Sequence, residues 1–222
     1  MKPLHSWHVN VEEAIQIQEA LKERIILKRT FSRIRTMGGG DVAYSESENF
    51  LFGAIVVLSY PDMRIVDIAT TETKVSFPYV PTLLSFRECP ILIKVFQNLK
   101  IKPDVMIYDG QGIAHPRGMG LASHMGLWFD IPSIGCAKTP LLREFVSPGP
   151  SKGSFGWIRR EGKKVGAVLR TRENVKPLFV SPGHRIDLST SIRLILASCR
   201  GFRIPEPLRK AHQISRLMRE KF

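Results

Sequence analysis

The chain is poor in cysteine: Cys89, Cys136 and Cys199 are all it has in 222 residues, and no two form a C-x-x-C pair. An odd, widely spaced set supports neither a disulfide framework nor a zinc site, so a reducing cytoplasm is the expected location. Long apolar runs are lacking too. The longest, "FLFGAIVVLSY", is too short to cross a bilayer, and "MKPLHSWHVNVEEA" holds no apolar signal-peptide core. The expectation is a protein neither exported nor inserted into a membrane. No repeat, low-complexity tract or long linker interrupts residues 1–222, which are expected to form one domain. Acidic residues are scarce: 20 Asp and Glu stand against 33 Lys and Arg, a net charge of +13. That excess favours a polyanionic partner, nucleic acid first, although basic proteins also bind membrane surfaces or are merely soluble.

What is present reads as alternating strands and helices. "NVEEAIQIQEALKERIILKR" has Asn10 as N-cap, Glu13 three residues on, and Ala14, Ile17, Leu21 and Ile25 at helical spacing, which predicts a first helix. Three β-like segments follow, "IRTMGGGDVAYS", "FLFGAIVVLSY" and "MRIVDIATTETKV", with Tyr60-Pro61-Asp62 turning between the last two. Their short connections make them antiparallel neighbours. "LLSFRECPILIKVFQNL" suits a helix despite Pro90, and residues 105–108 a buried strand. A helix near "GLASHMGLWFD", a short strand "SIGCAK", a hairpin turning at Glu161-Gly162, and two closing helices, "LSTSIRLILAS" and "EPLRKAHQISRLMREKF", complete the order. The layout is α/β: a mixed sheet with three antiparallel strands followed by parallel strands, flanked by helices.

Ligands of such sheets gather at the carboxyl ends of the parallel strands, where "VMIYDGQGIAHPRG" places Asp109. Asp41, Glu88 and His212 can converge on it from three other elements. Each has an ordinary reading alone. Asp109 before Gly110 suits an Asx turn, Asp41 after Gly38-Gly39-Gly40 suits a turn, Glu88 beside Arg87 suits a solvated helix face, and His212 suits an amphipathic surface. "VAY" after Asp41 reads as continuing strand, however, where Asp is disfavoured and needs a reason. Carboxylates and an imidazole from four elements can hold one or two Mg²⁺ ions, since hard cations prefer oxygen ligands. A metal pair about 3.5–4 Å apart can activate water and stabilise the leaving oxygen of a phosphodiester. A basic chain with clustered acids therefore reads as a nuclease.

The successive blocks "GGDVAY", "FPYVPTLLSFRE", "DGQGIAHPRGMGLASHMGLWFDIPSIGCAKTPL", "SPGHRI" and "RIPEPLRKAH" resemble those of the endonuclease V, or deoxyinosine 3′ endonuclease, family, in order and over nearly the whole chain. The resemblance implies a ribonuclease H-like fold. It also implies DNA-repair cleavage of damaged DNA at the second phosphodiester bond 3′ to deoxyinosine, dependent on Mg²⁺ with Mn²⁺ as a substitute. Asp41, Glu88 and Asp109 fall on the family's catalytic carboxylates, and His212 on a C-terminal position that is His or Asp in relatives. Asp41 and Asp109 are the implied main metal ligands. Lys138 matches a lysine near the scissile phosphate, and His115 a histidine near the active site. Tyr79 matches the wedge that enters the duplex where the damaged base leaves the stack, stiffened by Pro78 and Pro81. Backbone groups at Leu84 and Gly110 belong to the implied hypoxanthine pocket, and Thr82 stands where the family usually has Gly. The expected acting species is a monomer. Two alternatives are an inosine-specific endoribonuclease or broader structure-specific nuclease of the same fold, since some relatives prefer RNA, and a non-catalytic nucleic-acid binder. The binder would have lost a metal-site residue, and this chain keeps all four.

Overall fold

The sequence folds around one eight-stranded sheet in the computed structural model, which describes residues 3–222. Helix α1 (Val11–Lys22) opens with the expected capping box: the Asn10 side chain accepts from the Glu13 amide, and the Glu13 carboxylate accepts from the Asn10 amide. It stops earlier than the apolar spacing predicts. Beyond Lys22 the chain runs beside residues 184–185, where the Ile26 amide donates to His184 Nδ1 at 3.3 Å and the Thr30 amide to the Arg185 carbonyl at 3.3 Å. These tertiary partners replace the helix.

Strands β1 (Thr36–Ser45), β2 (Phe50–Ser59) and β3 (Ile65–Lys74) form the expected antiparallel meander. Helix α2 (Leu84–Asn98) runs unbroken through Pro90 and leads to β4 (Val105–Tyr108), which pairs in parallel with β1. After α3 (Leu121–Phe129), β5 (Ser133–Ala137) extends the parallel part. The hairpin of β6 (Phe155–Arg160) and β7 (Lys163–Leu169) turns at Glu161 and Gly162, both at positive φ, as a tight hairpin with matching twist requires. Helices α4 (Leu188–Ser198) and α5 (Glu206–Lys221) close the chain.

One strand escapes the sequence reading. β8 (Leu178–His184) inserts between β5 and β7, antiparallel to both, giving the order β3-β2-β1-β4-β5-β8-β7-β6. Its segment "LFVSPGH" contains Pro182 and Gly183, residues that ordinarily argue against a central strand. The Ser133/Ile134 irregularity in the β5–β8 ladder falls beside Pro182, so the pairing absorbs the missing N–H. The parallel strands are thus flanked by antiparallel ones on both sides.

One buried cluster joins α2 and α3 to the sheet through Ile91, Leu92, Val95, Met106, Tyr108 and Met125. Another joins α4 to it through Ile107, Ile134, Val180, Ile192 and Ile195. The start of α5 lies directly on β1. A Cβ on Gly39 would meet the Pro207 carbonyl carbon at 2.1 Å, so only glycine permits this approach. Gly39 and Asp41, two residues apart on one strand, share the face that α5 covers.

Candidate active site

Asp41 sits in the middle of β1 with 5% of its surface exposed. Asp109 follows the last residue of the neighbouring parallel strand, where its amide donates to the Gly40 carbonyl at 3.3 Å. The Gly40–Tyr108 register therefore sets the two aspartates side by side. From α5, His212 brings Nδ1 to 3.3 Å from Asp41 Oδ2, and the Ser215 hydroxyl donates to the same oxygen at 2.5 Å. One ligand atom from each of Asp41, Asp109 and His212 falls within 4.8 Å of the others. Glu88 approaches from α2 without joining that trio. Lys138, just past β5, donates to Asp109 Oδ2.

The charges of these groups act on one another. Burial pushes the Asp41 pKa upward, but hydrogen bonds from His212 and Ser215 and the positive charges nearby outweigh it, leaving Asp41 below the ordinary carboxylate value. Asp109 ends above its ordinary value, because burial and the Asp41 charge exceed the pull of Lys138. Burial and then the charges of Asp41 and Asp109 hold Glu88 well above the usual range. The Asp41 charge thus raises the proton affinity of Asp109, and both raise that of Glu88, a strain that a divalent cation would relieve; the oxygen donors with one imidazole suit a hard or borderline ion. The donor set fits such a cation.

Beside the cluster lies a cavity of about 390 Å³ whose walls include Tyr79, Thr82, Leu84, Gly110, His115 and Leu121. An open groove on the other side is lined by Asp41, His212, Arg216 and Arg219. Asp109 and Lys138 border both spaces. Tyr79 stands 68% exposed on the cavity rim, so it is not a core residue. His115 is buried: its Nε2 donates to the Thr82 carbonyl at 2.8 Å and its Nδ1 accepts from the Arg117 amide at 3.2 Å. Burial lowers its pKa to about 4, with the Arg117 and Arg160 charges adding to the effect. The ring stays neutral and holds the wall of the cavity.

Nine of the ten residues expected at the site thus belong to the cluster or line the cavity, and the tenth, Glu88, is linked to them through the charges of Asp41 and Asp109. Three contributors were not foreseen. Ser215 lies three residues after His212 on one helix face, a spacing that could have flagged it. Gln18 and Arg117 bond to each other and to Thr82, and the only signal in the sequence is the helical spacing that sets Gln18 on the face of Ala14 and Leu21.

A carboxylate and imidazole cluster at the carboxyl ends of parallel strands, on a strongly basic mixed sheet, is the arrangement of a metal-dependent nuclease. Residues 19–213 match the Endonuclease V family model, and the chain belongs to that family of phosphodiester-hydrolysing endonucleases. Endonuclease V of Dictyoglomus thermophilum is 48% identical over 205 residues, 92% of this chain and 89% of the relative. The crystal structure of Endonuclease V from Streptomyces avermitilis superposes with a TM-score of 0.92 at 38% identity, covering 97% of this chain and 96% of that one. Endonuclease V of Ciona intestinalis, solved as the D234N variant with a 23mer DNA containing an inosine followed by a ribo-adenosine, gives a TM-score of 0.84 at 30% identity, covering 96% and 99% of the two chains.

Proposed function

We propose that this endonuclease recognises deoxyinosine in DNA and hydrolyses the second phosphodiester bond on its 3′ side, as a monomer, in a reducing cytoplasm. The observation that carries the reading is the shared wall of Asp109 and Lys138. A base held in the cavity leaves the backbone that follows it at the carboxylate cluster. The Ciona relative's complex with inosine-containing DNA supports the same base. Cavity and cluster both come from one chain, which supports a monomer, and three unpaired buried cysteines support a reducing compartment.

Asp41, Asp109 and His212 would hold Mg²⁺, or Mn²⁺ in its place, with Glu88 completing the carboxylate set. The cation supplies Lewis acidity that favours an attacking water and offsets charge on the phosphate. Ser215 and His212 keep Asp41 ionised and oriented. Lys138 places an ammonium where charge develops in the transition state, and it can exchange Asp109 for a phosphate oxygen. Tyr79 fills the stack that the flipped nucleotide vacates, while backbone groups at Leu84 and Gly110 read the base. Thr82 and His115 shape the wall behind it. Arg216 and Arg219 track the phosphates along the groove.

A second reading, cleavage at inosine in RNA, is favoured by the ribo-adenosine that follows the inosine in the Ciona complex. Matched oligonucleotides separate the two. The panel holds deoxyinosine in DNA, inosine in RNA, deoxyinosine followed by one ribonucleotide, and undamaged DNA, each with Mg²⁺ and with Mn²⁺. The DNA reading expects efficient cutting of the all-DNA inosine strand one nucleotide beyond the lesion. Cutting only where a ribonucleotide follows would replace it with the RNA reading.

A further inference from the structure

The loop that carries Tyr79 ends in a tight turn. The Leu83 amide donates to the Val80 carbonyl at 2.9 Å, Pro81 takes the second position, and Thr82 takes the third at φ +73°. This is the arrangement of a type II turn, whose third position calls for glycine. A β-branched residue there is strained and persists only when its surroundings hold it. They do. The Thr82 carbonyl accepts from Gln18 Nε2 at 3.1 Å, His115 Nε2 at 2.8 Å and Arg117 at 3.2 Å. The Thr82 hydroxyl accepts from the same Arg117 guanidinium at 2.5 Å, and Arg117 Nε donates to Gln18 Oε1 at 2.7 Å. Gln18 is buried and also donates to the Met119 carbonyl at 2.9 Å. Helix α1, the segment after β4 and the Tyr79 loop thus meet at one residue.

We propose that Thr82 is a positioning residue: the Gln18, His115 and Arg117 clamp on its carbonyl and hydroxyl locks the Tyr79 loop in the raised, cavity-open form before nucleic acid arrives. The effect on substrate rests on the reading of the cavity as a base pocket. A pre-set loop spares the enzyme the ordering cost at the moment of binding, and the saving is largest in duplex, where a partner strand must be displaced. The side chain that strains the turn also supplies the hydroxyl that Arg117 grips.

Three substitutions separate strain from grip. Thr82→Ser keeps the hydroxyl, Thr82→Val keeps the branching without the hydroxyl, and Thr82→Gly removes both strain and hydroxyl. Amide hydrogen exchange at residues 79–83 is measured without substrate, and KM and kcat on inosine-containing duplex and single strands. Thr82→Ser should match the parent. Thr82→Val and Thr82→Gly should exchange faster in this loop and raise duplex KM roughly tenfold, as expected when the competent loop falls to about a tenth of the population. Single-strand KM should change much less, and kcat on either substrate should hold. Thr82→Gly, favoured at this φ, should melt no lower than the parent, so it serves if Thr82→Val folds poorly. Unchanged loop exchange in Thr82→Gly, or equal KM losses on both substrates, would overturn the clamp. A parent enzyme that ignores inosine in every oligonucleotide would instead overturn the base-pocket reading, and loop exchange would still decide the clamp.

Discussion

His115 shows how one residue can be legible in identity and opaque in duty. Its place in "GIAHPRG" marked it as near the site, but nothing in the spacing revealed that both ring nitrogens are engaged, one donating to Thr82 and one accepting from Arg117. With its folded pKa near 4 against an ordinary 6.5, the unfolded chain binds a proton here more readily than the native one. His115 therefore favours folding fully above about pH 6.5, and that contribution falls as pH drops toward 4, by roughly 3 kcal/mol in total. Chemical denaturation from pH 7 to 4 should show His115→Gln losing less stability than the parent across this window. Equal pH slopes for the two proteins would contradict the assignment. Asp41 and Asp109 were legible for a different reason: an aspartate inside a strand and one at its carboxyl end each need an explanation. Ser215 was not, because serine on an amphipathic helix needs none.

At the scale of elements, the sequence spoke clearly where local chemistry decides and poorly where distant partners do. Asn10 and Glu13 cap α1, and Glu161-Gly162 turns the β6–β7 hairpin, as their residue types require. The end of α1 is set by bonds to His184 and Arg185, 158 residues and 155 residues away, so periodicity overran it. β8 was missed because Pro182 and Gly183 weaken its pattern, and only its place between β5 and β7 makes it a strand. The run Gly38-Gly39-Gly40, which would suit a turn by itself, lies in β1 as the reading of "IRTMGGGDVAYS" expected, and α5 lies against it. Gly39→Ala places a methyl group against the Pro207 backbone, which cannot yield as a flexible side chain would. The expected cost is about 1–3 kcal/mol of stability, with α5 pushed away from Asp41. Cleavage should fall more than folding, because His212 and Ser215 move with the helix. A variant with parental melting and parental activity would show that α5 does not set the site.

For the whole molecule, net charge of +13 and the open groove point to a grip on phosphates that is blind to sequence. Affinity for undamaged duplex should fall steeply with salt, and Arg216→Ala or Arg219→Ala should each make the log-log slope shallower by about 1 while preference for inosine persists. A slope unchanged by both would remove these arginines from the phosphate track. Among the described residues no helix is long and apolar enough to cross a membrane. Charge alone could not name the chemistry. The nuclease reading needs the carboxylate cluster and the cavity to meet, and Asp109 is where they do. The most direct measurement is cleavage and binding of a deoxyinosine duplex by Asp109→Asn, which keeps the shape of the shared wall and removes its charge, with Mg²⁺ titrated from zero in EDTA. The parent should be inert in EDTA and cut one nucleotide beyond the lesion as Mg²⁺ rises, while Asp109→Asn should bind the duplex about as well and fail to cut it at any Mg²⁺ concentration. Parental cutting by Asp109→Asn, or by the parent in EDTA, would contradict the account.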